Sequence, residues 1–390
     1  MSSAVPRLAG TPLGEVDTGR LVAAVAELAA DPYAGRRVGT AGGRAAGSWL
    51  AARLRRLGAV VRLQEFPVTG VRELSALPVL RWQDQSWRHR RDSAVHLASA
   101  DLPVPRTGDL GVEPVSGRWV LASAVEPGLV AQAVAAGAAG LVIPRGVDAG
   151  GWMPKMITGP AVQPIPIVSV RTDLHARLLA ERGVLTATLP LRTVAVTGRN
   201  VHGVFAEPAP GAVSVLLTAH YDGVGDDPDQ RLPAAADNAS GVAVVLEAAR
   251  TLAATVPAGL GLAVALLDAE EAGAQGSAYH APQVPPGTHV INIDGAGKLD
   301  GPAAVEAGGP AQPLLAALDA AGRQVGVALR AGAMPSDNRR YAATGLPAVG
   351  IGMGVPGYQT PAETVDRIDP ATLADATRLV VATVDHLTHR

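Results

Sequence analysis

The sequence contains no cysteine and is poor in aromatic residues and in net charge. The absence of cysteine excludes disulfides, cysteine zinc ligands and thiol redox chemistry. Aromatic residues make up only 3% of the 390 residues, so Ala, Val and Leu must provide most of the core. A hydrophobic content of 48% is ample for that purpose. The net charge of −2, with no long basic run, gives no support for nucleic acid or an anionic membrane as a partner.

Long apolar segments are also missing. No run approaches the roughly 20 consecutive apolar residues that a membrane-spanning helix needs. The first residues lack a basic region followed by an apolar core, which is the pattern of a secretory signal. The sequence therefore predicts a cytoplasmic protein without a membrane partner. Its length favours two domains over one.

Polar side chains follow two apolar segments in the middle of the chain. His220 and Asp222 come directly after residues 213–219, a continuous apolar run typical of a buried parallel strand. Glu270 and Glu271 follow a second run that ends at residue 267. In an open α/β sheet, ligands gather outside the carboxyl ends of the strands. We therefore expect these side chains to meet in one crevice.

Two more acidic residues extend this set. Asp294 ends a third apolar run, and Asp237 precedes an amphipathic helix. Each acid alone is typical of a turn or a helix cap. The ordered set favours a metal site, because carboxylates and imidazole suit zinc. One extra carboxylate beside the metal suits a general base.

Six strings carry a resemblance to a known family. The strings are AHYDG, AADNASG, AEEAGAQGS, INIDG, SDNRRYAATGLPAVGIG and TPAETVDRID, in that order. The set resembles the M28 peptidases, the family of bacterial leucyl and Streptomyces-type zinc aminopeptidases. The resemblance implies an α/β fold with a mixed, mostly parallel sheet flanked by helices.

The resemblance also implies roles for individual residues. Two metal positions would share Asp237, and the first would be completed by His220 and Asp294. The second would use Glu271 and a histidine that normally precedes the TPAET-like string. The cofactor would be zinc, one or two ions per chain. Glu270 would be the general base that passes a proton from metal-bound water to the leaving amine.

Further implied roles concern the neighbours of these ligands. Asp222 fits the carboxylate that orients a ligating imidazole. Tyr358 corresponds to a tyrosine that donates a hydrogen bond to the oxyanion of the tetrahedral intermediate. Asp337 either supports the ligands, binds substrate or caps a helix, and Arg36 and Arg37 are weaker candidates for the crevice.

The sequence departs from the family pattern at one ligand. Gln359 stands where the family has histidine, and an amide oxygen is a weaker zinc ligand than imidazole. Three interpretations follow. The site binds two metals with Gln359 as a weak ligand, or one metal on His220, Asp237 and Asp294, or it has lost catalysis.

The expected domains are a metallopeptidase-like domain, residues 1–71 and 194–390, and an insert of residues 72–193. The insert combines short strands with an Ala-rich helix and resembles a β-rich protease-associated domain. After it, residues 198–208 are expected to form a strand paired beside residues 213–219.

The leading functional prediction is hydrolysis of an amide or peptide bond by metal-bound hydroxide. The substrate would be a small peptide or an aminoacyl-type small molecule. One alternative is a single-metal cyclase or condensing enzyme on the same scaffold. The other is a catalytically inactive binding homologue. The sequence leaves the oligomeric state open.

Overall fold

The computed structural model describes residues 16–255 and 259–388. The chain divides into two compact units. The first unit comprises Met1–Val68, Thr197–Gly225 and Pro233–Arg390, as far as these are described, and the second comprises Thr69–Val196 and Asp226–Leu232. The described strands form two eight-stranded sheets.

The described strands are, in chain order, β1 (Val60–Leu74), β2 (Val79–Trp82), β3 (Gln85–Trp87), β4 (Ser93–Val95), β5 (Leu102–Gly111), β6 (Trp119–Leu121), β7 (Gly140–Arg145), β8 (Ile167–Arg171), β9 (Val184–Leu189), β10 (Leu191–Ala206), β11 (Ser214–His220), β12 (Gly261–Leu267), β13 (His289–Ile293), β14 (Ala303–Gly308), β15 (Leu329–Ala331) and β16 (Ala348–Gly352).

The described α-helices are α1 (Thr18–Leu28), α2 (Ala41–Arg56), α3 (Pro127–Ala135), α4 (Thr172–Glu181), α5 (Gly241–Thr255), α6 (Gln275–His280), α7 (Gln312–Val325), α8 (Asn338–Ala343) and α9 (Pro370–Thr388). Side-chain caps fix the starts of the first two helices. Asp17 accepts hydrogen bonds from the amides of Gly19 and Arg20, and Thr40 accepts one from Gly43.

The strand order of the first sheet is β1-β10-β12-β11-β13-β16-β14-β15. Strands β12, β11, β13 and β16 run parallel to one another, so their carboxyl ends lie at one edge of the sheet. Strand β10 pairs antiparallel with β12, and β14 pairs antiparallel with β16. The predicted mixed, mostly parallel sheet flanked by helices is confirmed.

The predicted neighbour of β10 is wrong. We expected this strand beside residues 213–219, but the structure places it against β12, with Val201 opposite Leu266. Strand β12 occupies the position between β10 and β11. Strands β11 and β12 are both buried apolar runs, so the sequence pattern does not show which of them pairs with β10.

Apolar side chains cover both faces of this sheet. One face packs against α1, α2, α5, α7 and α9, and Leu217 and Ile291 are fully buried there. The other face carries a smaller cluster that includes Leu216 and Tyr341, on the side of α6 and α8. Full burial of a Leu or Ile side chain contributes roughly 1.5–3 kcal/mol. The sheet is therefore a rigid support for the residues at its edge.

The second unit contains the strands β2 to β9 in the order β3-β2-β9-β5-β6-β7-β8-β4. A fully buried carboxylate, Asp227, lies within this unit among basic side chains. Its oxygens bond the Arg90 guanidinium and lie 3.0 Å from Lys155 Nζ and 3.5 Å from His89 Nε2.

No helix in the described part of the chain is long and apolar enough to cross a membrane.

Candidate metal centre

The candidate site lies at the carboxyl edge of the parallel strands in the first unit. His220 is the last residue of β11, and Glu270 and Glu271 follow the end of β12. Asp294 comes directly after β13, and β16 leads into the loop that carries Gln359. The sheet topology thus brings together residues that are up to 139 positions apart, counted from His220 to Gln359.

Three ligand atoms meet at the centre of the site. His220 Nε2 lies 3.1 Å from Asp237 Oδ1 and 3.3 Å from Asp294 Oδ1, and all three atoms lie within 4.8 Å of one another. Ligands about 2.0–2.2 Å from a tetrahedral zinc ion are separated by about 3.3 Å. The two distances from the imidazole therefore match the spacing of ligands on one zinc ion.

Asn238 fixes the positions of Asp237 and Asp294 relative to each other. It follows Asp237 through a cis peptide bond, within a helical turn of residues Ala235–Ser240. The side chain of Asn238 accepts hydrogen bonds from the amides of Gly241 and Gly295 and donates one to Ile293 O. The loop that carries Asp237 is thereby tied to the backbone on both sides of Asp294.

Asp222 is fully buried and organises the two glutamates. Its carboxylate accepts the backbone N–H of Glu270 at 3.0 Å and that of Glu271 at 3.2 Å. The same carboxylate lies 3.5 Å from His220 Nδ1, whose closest partner is the Asp222 backbone oxygen at 3.2 Å. The residue expected to orient the imidazole therefore also fixes the turn of the candidate general base.

Gln359 contacts Glu271 directly. Gln359 Nε2 donates to Glu271 Oε2 over 2.6 Å, and both side chains are buried. Glu271 Oε1 and Gln359 Oε1 have no hydrogen-bond partner among the described residues. At 2.6 Å the bonded atoms are closer than two ligands of one tetrahedral zinc. The amide thus bonds the carboxylate at the position where the family has a metal-binding histidine.

Glu363 fixes the backbone on both sides of the contact between the Asp237 loop and the Gln359 loop. This role was not predicted from the sequence. Its Oε1 accepts the backbone N–H groups of Ala236 and Asp237, and its Oε2 accepts that of Gln359 at 2.6 Å. Gln359 has a φ of 52°, in the left-handed region that non-glycine residues rarely adopt. The hydrogen bond that the Gln359 N–H donates to Glu363 therefore helps to hold Gln359 in an otherwise costly conformation. The only sequence signal for this role was an acid in the string TPAET.

The electrostatics of the site favour a bound cation. Burial and the neighbouring carboxylates raise the pKa of Glu271 well above its usual value. Partial burial and the nearby acids likewise raise the pKa of Glu270. Burial alone would lower the pKa of His220, but Asp294 and the other adjacent acids raise it well above its usual value. A cation among these groups would relieve the repulsion between the carboxylates.

The remaining candidates occupy different surroundings. Tyr358 is 43% exposed, and burial of the rest of the ring together with the nearby carboxylates raises its pKa. Asp337 is fully buried, and its side chain does not cap α8. Burial raises the pKa of Asp337 to about 7.

Arg36 has a structural position. It is fully buried and donates to four backbone oxygens, those of Leu28, Tyr221, Pro233 and Ala234. These bonds join the exit of β11 to the segment before Asp237. The side chain that we considered for the crevice therefore ties together the loops that form it.

Comparison with known families decides the class of the protein. The family model described as Peptidase family M28 matches residues 200–384, which include all the residues at the centre of the site. The chain carries an M28 peptidase domain. The predicted resemblance is confirmed for this domain, and with it the prediction of an enzyme of the peptidase class. No curated protein sequence matches the chain.

Solved structures show the same fold. An aminopeptidase from Aneurinibacillus sp. strain AM-1 is 20% identical, with a TM-score of 0.72 over 96% of this chain and 94% of that one. A zinc aminopeptidase from Bacillus subtilis is 22% identical, with a TM-score of 0.73 over 95% and 94%. A peptidase M28 precursor from Shewanella amazonensis SB2B is 19% identical, with a TM-score of 0.67 over 96% of each chain.

Proposed function

We propose that the M28 domain is a mononuclear zinc aminopeptidase. In this proposal His220, Asp237 and Asp294 hold the ion, and the spacing of their ligand atoms is the observation that carries it. One imidazole and two carboxylates leave a coordination position open, as in catalytic zinc sites. The zinc aminopeptidase of Bacillus subtilis, with the same fold, supports the choice of metal.

The residue pair beside this cluster, Glu271 and Gln359, supports the proposal of a single ion. A second ion would need Glu271 and Gln359 as ligands in addition to Asp237. The amide of Gln359 already donates to Glu271, and its remaining oxygen is a weak, neutral zinc ligand. The hydrogen bond occupies Glu271 Oε2 and leaves only Oε1 free for another partner. We therefore favour one ion over the two expected from the complete family pattern.

Glu270 acts as the general base of this proposal. Its backbone is fixed by Asp222, and its raised pKa makes its carboxylate a stronger proton acceptor than an ordinary glutamate. Bound zinc would supply polarisation of the scissile carbonyl and activation of water. Glu270 would take the proton from that water and deliver it to the leaving amine. The half-exposed Tyr358 would donate a hydrogen bond from its hydroxyl to the developing oxyanion.

Glu271 would explain why the enzyme selects substrates with a free N-terminus. One of its carboxylate oxygens accepts from Gln359, and the other has no partner among the described residues. A substrate ammonium group would supply the missing hydrogen bond and a compensating positive charge. We infer that Glu271 binds the substrate amine, whereas a complete family site would use this residue as a metal ligand.

The test is the variant Glu270→Gln, assayed on short peptides with a free N-terminus. We expect wild-type protein to release the first amino acid, and the variant to lose about 100-fold or more in kcat while it retains zinc. Glu113→Gln, an exposed glutamate in the second unit, is the matched control. Equal kcat values for Glu270→Gln and the control would refute the proposed base.

The single-zinc cyclase remains an alternative because of Gln359. Product mass separates the two reactions, since hydrolysis adds the mass of water and cyclisation removes water or ammonia. If neither product forms and a bound peptide remains intact, the result favours the catalytically inactive binding homologue. We further propose that residues 72–193 form a protease-associated-like insert domain. The cytoplasmic location of the protein stays a prediction.

A further inference from the structure

A second cleft opens in the first unit, at the other end of the sheet from the candidate metal centre. It has a volume of about 420 Å³, within the range of small-molecule sites. It is lined by Ser214 at the start of β11, whereas His220 at the end of that strand belongs to the metal centre. Six residues of extended chain separate the two by about 20 Å. The cleft is therefore a separate place on the molecule.

The floor of the cleft is an apolar part of the sheet. Strand β10 contributes Val204, β11 contributes Leu216, and β12 contributes Ala263, which lie side by side on the same face of the sheet. The turn after α6 supplies one wall through Val284. This surface would accommodate the hydrocarbon body of a ligand.

One arginine and two histidines line the cleft. Arg62, His202 and His280 all line it, and the two imidazole rings meet edge to face with centroids 5.1 Å apart. Arg62 makes no ion pair with any described residue. Glu207 is the acidic residue in the lining, and it is exposed. The cleft therefore contains one positive charge, on Arg62, that is not paired with a carboxylate of the described residues.

His280 supplies a directed donor. The residue is 1% exposed, and its Nδ1 lies 2.8 Å from the hydroxyl of Tyr341. Burial, with His202 and Arg62 nearby, lowers the pKa of His280 to about 3, so the ring is neutral. The hydroxyl of Tyr341 has no other hydrogen-bond partner among the described residues, so we assign it as the donor to Nδ1. A neutral ring that accepts at Nδ1 carries its proton at Nε2, which has no hydrogen-bond partner among the described residues.

We propose that this cleft binds a small organic monocarboxylate with an apolar body. Arg62 would pair with the carboxylate, and His280 Nε2–H would donate to one of its oxygens. The apolar floor would receive the remainder of the ligand. A single negative charge matches one guanidinium and one neutral donor better than a dianionic phosphate would.

The test uses 4-phenylbutyrate as the probe and isothermal titration calorimetry on the full chain without added metal. We expect saturable binding at a one-to-one ratio. The neutral amide 4-phenylbutyramide should bind about tenfold or more weakly, because it lacks the charge that Arg62 pairs with. The same loss is expected for the acid with Arg62→Met. Arg55→Met, an exposed arginine in the last turn of α2, is the matched control and should leave binding unchanged.

A second variant tests the apolar floor. Ala263→Leu places a larger side chain on the strand that lines the cleft, and we expect it to abolish binding of the probe. Circular dichroism of each variant shows whether the chain is folded. Absence of saturable binding by wild-type protein would overturn the proposal. So would binding that Arg62→Met leaves unchanged, because the probe would then occupy another place, such as the metal centre.

Discussion

Replacing Gln359 by histidine should create a second metal position, because it restores the imidazole that the family pattern has there. The change removes the 2.6 Å hydrogen bond from the amide to Glu271 and leaves a buried oxygen without its donor, at a cost of about 1–3 kcal/mol. The metal-free variant should therefore unfold about 2 kcal/mol more easily than the wild type. It gains an imidazole facing a carboxylate, and we expect it to bind one zinc ion more per chain.

The assay combines urea unfolding with elemental analysis. At a free zinc concentration of about 100 times the dissociation constant, the additional ion should raise the unfolding free energy by about 2.7 kcal/mol. Gln132→His, which adds a histidine on the exposed face of α3, controls for nonspecific metal binding. An unchanged zinc content in Gln359→His, with unchanged metal-free stability, would refute the reasoning that places this side chain against Glu271.

Two further predictions concern groups outside the metal centre. Asp227→Asn should lower the unfolding free energy by about 3–5 kcal/mol in urea unfolding, because Arg90 and Lys155 lose their buried partner. The control Asp226→Asn, which breaks a partly exposed pair, should cost about 1 kcal/mol or less, and equal losses would contradict the prediction. Since the pKa of His280 is lowered from 6.5 to about 3, the unfolded state takes up the proton first as pH falls. Wild-type stability should therefore drop by about 2 kcal/mol more than that of His280→Gln between pH 7 and pH 5, and parallel urea-unfolding curves against pH would contradict this.

The sequence predicted the strands and their exits better than their neighbours. Long apolar runs ending in acidic or histidine side chains mark parallel strands, which is why His220 and Asp294 could be expected in one crevice. The position of β10 beside β12 could not be derived in the same way. Pairing order depends on which apolar faces meet in three dimensions, and adjacent buried strands carry similar patterns.

The supporting residues of the site were harder to predict than the candidate ligands. Glu363 acts through backbone N–H groups that are distant in sequence, such as that of Asp237, and no side-chain pattern records such a bond. Arg36 likewise binds only backbone oxygens. The sequence showed that Gln359 departs from the family pattern. Its bond to Glu271 depends on the path of the loop after β16, which the sequence leaves open.

The zinc content of the wild-type chain tests the central claim most directly. Protein purified without chelators, saturated with zinc and freed of excess ion, would be analysed for metal and for protein concentration. The account predicts one equivalent per chain, lost when Asp294 is replaced by Ala and retained when Glu271 is replaced by Gln. Two equivalents in the wild type, with one lost in Glu271→Gln, would contradict the mononuclear site and assign Glu271 to a second ion.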